Sequence, residues 1–214
     1  MRLGDGDPQD ISNDGKWVIS RLIGAPSQIA LLPTGTGTPR QLTRSDIAHS
    51  FARFLPDNRI FLVGNQPNHP IRTYLLDLDG NEKPFGPDGV RALAATSDGK
   101  RLLTTDGDFS QFQLLPLDGG PAQPFSQLQN GDRPIDFTPD DSALLGQRQG
   151  QNDAVETWRV ELPSAKRTLL HSIALPGVPA ISNGLNATVS RDGKSYAYQH
   201  HPINSTEYLV RGMR

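Results

Sequence analysis

One short phrase recurs five times along the chain: Ser12-Asn13-Asp14-Gly15-Lys16, Leu55-Pro56-Asp57-Asn58-Arg59, Thr96-Ser97-Asp98-Gly99-Lys100, Thr138-Pro139-Asp140-Asp141-Ser142 and Ser190-Arg191-Asp192-Gly193-Lys194. Its aspartates lie 43, 41, 42 and 52 residues apart. A period near 40 residues is the signature of a repeat architecture, in which each unit buries its apolar face only against its neighbours. The phrase reads as a tight turn. The residue after the aspartate is Gly15, Asn58, Gly99, Asp141 or Gly193. These are the residue types that tolerate positive φ.

Within one unit the turn signals separate four short β-rich runs. In the first unit these are Pro8–Ser12, Trp17–Ile19, Gln28–Leu32 and Arg40–Leu42. A second turn recurs at similar offsets, as in Asp79-Gly80-Asn81, Asp118-Gly119-Gly120 and Pro163-Ser164. Three residues before each aspartate stand Ile11, Phe54, Ala95, Phe137 and Val189, an apolar column suited to sheet-on-sheet packing. Four strands per unit predict an all-β chain, a β-propeller of five four-stranded blades with essentially no helix. The predicted blades run over 4–43, 44–86, 87–127, 128–171 and 172–214, with residues 1–3 completing the last. Met1-Arg2-Leu3 would then pair with the strand around Glu207 to Val210, closing a monomeric ring. The alternative is a five-blade piece of a larger propeller.

Composition narrows the function. With 21 glycines and 18 prolines the chain is cut into short segments. The net charge of −2 offers no basic excess for a nucleic-acid backbone. No cysteine is present, which removes disulfides, cysteine zinc sites and thiol catalysis. No run reaches the ~18 apolar residues of a membrane span. The start lacks the apolar stretch of a signal peptide. The expectation is a domain cut from a longer chain with Met1 added.

The units resemble the TolB-like class of bacterial propeller repeats. Ser190-Arg191-Asp192-Gly193-Lys194 and Leu117-Asp118-Gly119-Gly120 match that class well, and the phrases at Asp57 and Asp140 match it more loosely. The segment order also resembles the propeller region that follows the transmembrane helix in bacterial membrane serine/threonine kinases. That likeness rests on Arg2-Leu3-Gly4-Asp5-Gly6, Leu31-Leu32-Pro33-Thr34-Gly35 and the run from Gly193 to Val210. The resemblance implies a periplasmic or extracellular module, with a cytoplasmic chain as the alternative. It further implies a non-enzymatic ligand- or protein-binding role as the sensor of a larger envelope receptor. A TolB-like scaffold for protein–protein assembly is the alternative. A propeller hydrolase or lyase with an acidic channel site is the third reading.

Propellers bind at one end of the central channel, where the loops between blades and between the second and third strands gather. The channel-mouth candidates are Asp7, Gln9, Asp46, His49, Arg91, Asp132, Arg133, His200 and His201. The implied partner is a protein or a small polar ligand, with no cofactor and no metal. Adjacent His200 and His201 point opposite ways in extended chain. Asp5-Gly6-Asp7 and Asp106-Gly107-Asp108 lack the remaining ligands of a calcium loop and read as turns. Four residues before the repeat aspartates lie Asp10, Arg53 and Asp136, on the innermost strands. They read either as a charge ring facing the channel or as a salt-bridged spine that sets blade register. No nucleophile elbow and no phosphate loop occurs.

Overall fold

The computed structural model describes residues 3–151, 154–174 and 185–200, with side chains at all of these except 185–188 and 198–200. Four antiparallel sheets of four strands follow one another along the chain. Blade 1 is β1 (Asp7–Ile11), β2 (Trp17–Leu22), β3 (Gln28–Pro33) and β4 (Arg40–Gln41). Blade 2 is β5 (Ala48–Phe54), β6 (Ile60–Asn65), β7 (Arg72–Leu76) and β8 (Glu82–Phe85). Blade 3 is β9 (Arg91–Ala95), β10 (Arg101–Thr105), β11 (Phe112–Pro116) and β12 (Gln123–Pro124). Blade 4 is β13 (Arg133–Phe137), β14 (Ala143–Gln149), β15 (Val155–Glu161) and β16 (Arg167–Ile173). Over the described residues the fold is an all-β propeller of four four-stranded blades.

This corrects the expected five. Among the described residues the fifth repeat forms a two-stranded hairpin, β17 (Leu185–Val189) and β18 (Tyr196–His200). The reason is local. The repeated phrase encodes the turn between a first and a second strand, and that hairpin is what the fifth copy builds. The phrase carries no information about third and fourth strands. The proposed closure through Met1-Arg2 and Glu207 to Val210 lies outside the described residues.

All five turns take one conformation. Gly15, Asn58, Gly99, Asp141 and Gly193 have φ of 69, 66, 65, 54 and 72°. The hydroxyl two residues before the aspartate explains the rest of the phrase. Ser12 Oγ donates to Asp14 Oδ1 (2.7 Å) and accepts from the N–H groups of Lys16 (3.1 Å) and Trp17 (3.0 Å). Thr96, Thr138 and Ser190 donate likewise to Asp98, Asp140 and Asp192. These hydrogen bonds hold the turn carboxylates below the usual range, Asp140 at about 2. The second blade departs from the pattern: Leu55 replaces the hydroxyl and is fully buried.

The core lies between blades, and strand alternation assigns each side chain to one layer. Ile60 and Leu62 of β6 face blade 1 with Ile19, Ile29 and Leu31, while Phe61 and Val63 face blade 3 with Ala92 and Leu102. Leu103 of β10 packs instead with Phe137 and Leu144 of blade 4. The apolar column is buried at Ala95, Phe137 and Val189, but Ile11 is 54% exposed. The second turns of blades 2, 3 and 4 each hold a positive-φ residue, Gly80 at 92°, Gly119 at 86° and Ala165 at 57°. Among the described residues no helix is long and apolar enough to cross a membrane.

Candidate functional site

The innermost strands β1, β5, β9, β13 and β17 surround a depression of about 660 Å³. It opens between the repeated turns and is lined by residues of all five repeats. Its charged groups are Asp10, Arg53, Asp136 and Arg191. Ile11, Val18, Phe54 and Val189 form the apolar part of the wall.

Periodicity brings this set together. Asp10, Arg53 and Asp136 each stand four residues before their repeat aspartate, so they reach the channel at one depth. Arg53 Nη1 donates to the Ile135 carbonyl and lies 3.6 Å from Asp136 Oδ2. It thus spans from blade 2 to blade 4. Arg191, from the fifth turn, donates through Nε to the Phe137 carbonyl (3.1 Å) and lies 3.4 Å from Asp136 Oδ2. Asp10 accepts the N–H of Ile11 and, across the blade boundary, that of Phe54, both at 2.9 Å. Asp136 Oδ1 accepts the Phe137 N–H at 2.9 Å.

Burial raises both carboxyls above the ordinary aspartate range, against the pull of Arg53 and Arg191. Asp10 also pushes Asp136 upward through like charge. Two carboxylates and two guanidiniums in one part-buried funnel present both signs of charge and apolar wall within a few ångströms. Such a surface is chemically able to hold a ligand that carries both charged and apolar groups. Proton transfer is less suited to it, because Asp10 already accepts two backbone N–H groups.

Of the predicted site residues whose side chains are described, only Gln9 lines this depression. Asp7 pairs with Arg21 across β1 and β2. Asp46 lines a separate cleft of about 630 Å³ beside β7 and β8, with Arg72, Tyr74 and Glu82. His49 sits inside blade 2 at 1% exposure. Its ring lies over Gly64, whose Cβ, if present, would fall 3.2 Å from Nδ1. Neither ring nitrogen has a hydrogen-bond partner, and desolvation lowers its pKa to about 4. Glu82 Oε1 lies 3.6 Å from Nε2, and burial raises that carboxyl above the ordinary glutamate range.

Asp132 is 3% exposed and is gripped by Arg167 through both guanidinium nitrogens. Arg91 and Arg133 converge on Phe109 at the opposite end of the inner strands. His200 ends β18, where side chains are not described, and His201 lies outside the described residues. Among the described residues no three His, Cys, Asp or Glu side chains converge as a metal site. Sequence reading missed Arg191 and Phe109. Arg191 was legible as the odd member of its turn position, where the other repeats carry Asn13, Pro56, Ser97 and Pro139.

No protein-family model matches the sequence, and no curated protein matches it. Solved structures share the fold. TolB from Acinetobacter baumannii superposes with a TM-score of 0.67 at 15% identity, over 89% of this chain and 53% of that one. A TolB candidate from Agrobacterium tumefaciens gives 0.62 at 14%, over 90% of this chain and 79% of that one. A puromycin-hydrolyzing peptidase from Mycobacterium tuberculosis gives 0.55 at 12%, over 80% and 30%. The chain thus spans about half of the first TolB structure. A fold common to a TolB and a peptidase establishes architecture; the activity rests on the site.

Proposed function

We propose that this chain is a non-enzymatic binding propeller, a TolB-like scaffold that takes a segment of a partner protein into the funnel between its repeated turns. The observation that carries this reading is the juxtaposition of half-exposed Ile11 with the Asp10–Arg53–Asp136–Arg191 cluster in one depression. An exposed apolar side chain beside part-buried charges is how a surface anchors a peptide and fixes its register. The TolB-like repeats support an extracytoplasmic location, and a place as one module of a larger envelope protein.

The test is selection of binders from a random peptide display library on the whole chain. Peptides that bind should lose at least about tenfold in affinity to Ile11→Glu, roughly 1.4 kcal/mol. They should keep it with Ile23→Glu, a more exposed residue (81%) that does not line the funnel. Peptides that ignore Ile11→Glu would overturn the assignment.

A further inference from the structure

The other end of the inner strands carries a second constellation. Arg91 and Arg133 open β9 and β13 and stand at equivalent positions, each seven residues before its repeat aspartate. β9 and β13 pack side by side, so the two guanidiniums emerge together. Both lie against the ring of Phe109, with guanidinium carbons 5.0 and 5.7 Å from its centre. Arg91 Nη2 donates to the Gly107 carbonyl (3.3 Å), and its Nε is buried without a partner. Among the described residues neither arginine has a carboxylate within ion-pair distance. The neighbouring acids are mostly taken: Asp132 is held by Arg167, and Asp106 by Ser110. Among the described residues, exposed Asp108 and the Arg167-held Asp132 share the cleft of about 250 Å³ that Phe109, Gly131 and Arg133 help to line, and Arg91 stands outside its wall, against the Phe109 ring.

The backbone at Phe109 is unusual. Residues 106–109 repeat the turn of the five phrases: Asp106 Oδ1 accepts from Ser110 and Gln111 as Ser12 Oγ accepts from Lys16 and Trp17. At the left-handed position, where the phrases carry Gly, Asn or Asp, this loop carries Phe109 with φ 56°. A bulky residue there is strained, and the turn forms without it. Its ring packs against the edge of the cluster that holds Phe112, Phe125 and Leu128, and it also lies under the two guanidiniums. A guanidinium stacked on a ring keeps its edge N–H donors outside the stack, and those donors match a carboxylate in bidentate geometry.

We propose that Arg91, Phe109 and Arg133 form a carboxylate-binding site, sized for the C-terminal carboxylate of a peptide. It is separate from the funnel and does not rest on the function proposed for it. The test is calorimetric titration of the whole chain with N-acetyl-trialanine, its C-terminal amide and succinate. The peptide acid should bind, and the amide should bind at least about tenfold more weakly. Arg133→Gln, at an exposed position, should weaken the acid about tenfold. Phe109→Gly should weaken the acid and narrow the gap between acid and amide, which loss of the ring's packing alone would not do. Succinate binding as tightly as the peptide would support the same chemistry and assign it to a free small acid. The proposal is overturned if acid and amide bind alike, if Arg133→Gln or Phe109→Gly leaves affinity unchanged, or if no carboxylate binds at about 10 mM, near the weak limit of specific recognition.

Discussion

The two ends of this propeller are built by different rules. At the turn end one phrase is written five times, and its polar groups are satisfied almost wholly within it. Thr138 Oγ1, for example, accepts the Ala143 N–H at 3.0 Å and donates to Asp140 at 2.8 Å. The turns also grip their neighbours: the Ser97 N–H and hydroxyl bond to Asp141 of the next blade at 2.9 and 2.8 Å. The loop end has no common phrase. There the structure leaves partnerless nitrogens on His49 and Arg91, and a strained aromatic at Phe109. Repetition supplies the scaffold, and departures from it supply the chemistry. Arg191 shows the same rule at the turn end, since it reaches the funnel by replacing the residue type its turn carries elsewhere.

The same kind of backbone should therefore respond with different size at the two ends. The largest effect is expected for Gly99→Val. A Cβ there meets the Pro56 ring at 3.0 Å on top of a positive φ, so the loss should be about 2–3 kcal/mol by chemical denaturation. Gly15→Val, with nothing within 4 Å, should lose less, about 1–2 kcal/mol. Equal losses would show that contact between neighbouring turns is not a constraint.

Next comes pH. His49 is held at about 4 against an ordinary 6.5. The unfolded chain then binds the extra proton first, so stability is full above about 6.5 and falls as pH drops toward 4. Linkage puts the loss at about 2 kcal/mol by pH 5. Thermal melts of His49→Leu should lack that slope; an unchanged slope would assign it elsewhere. Asp10, Asp136 and Glu82 act in the other direction, because their raised pKa values favour the fold at low pH and that contribution fades as pH rises through them.

Thr138→Ala should cost about 1–2 kcal/mol, since it leaves the buried Ala143 N–H without its side-chain acceptor. The smallest effect is expected for Phe109→Gly, within about 1 kcal/mol of the parent by chemical denaturation, because relief of a left-handed aromatic offsets the lost packing of its ring. A loss of about 3 kcal/mol or more would dissolve the contrast between the two ends.

The contrast also explains what the sequence made legible. The turn and its glycines, the four-strand unit and the shared depth of Asp10, Arg53 and Asp136 all follow from periodicity, and periodicity is visible in one chain. His49 was read as a loop residue, although the isolated Gly64 opposite it in β6 is the signal of a ring packed over bare backbone. Phe109 was hidden because Asp106-Gly107-Asp108 was read only as a turn, without asking which residue fills its left-handed position. The fifth repeat misled for a physical reason: the phrase specifies the hairpin between a first and a second strand, and among the described residues that hairpin is what it builds.

The Arg53 side chain has one more consequence. By reaching from blade 2 to a carbonyl of blade 4 it acts as a crossbar. A segment entering from the turn side meets that bar instead of open passage, so the funnel is a socket with a floor. Whatever seats there is stopped at a set depth, and a pull on it is shared by two blades that are not neighbours in the chain.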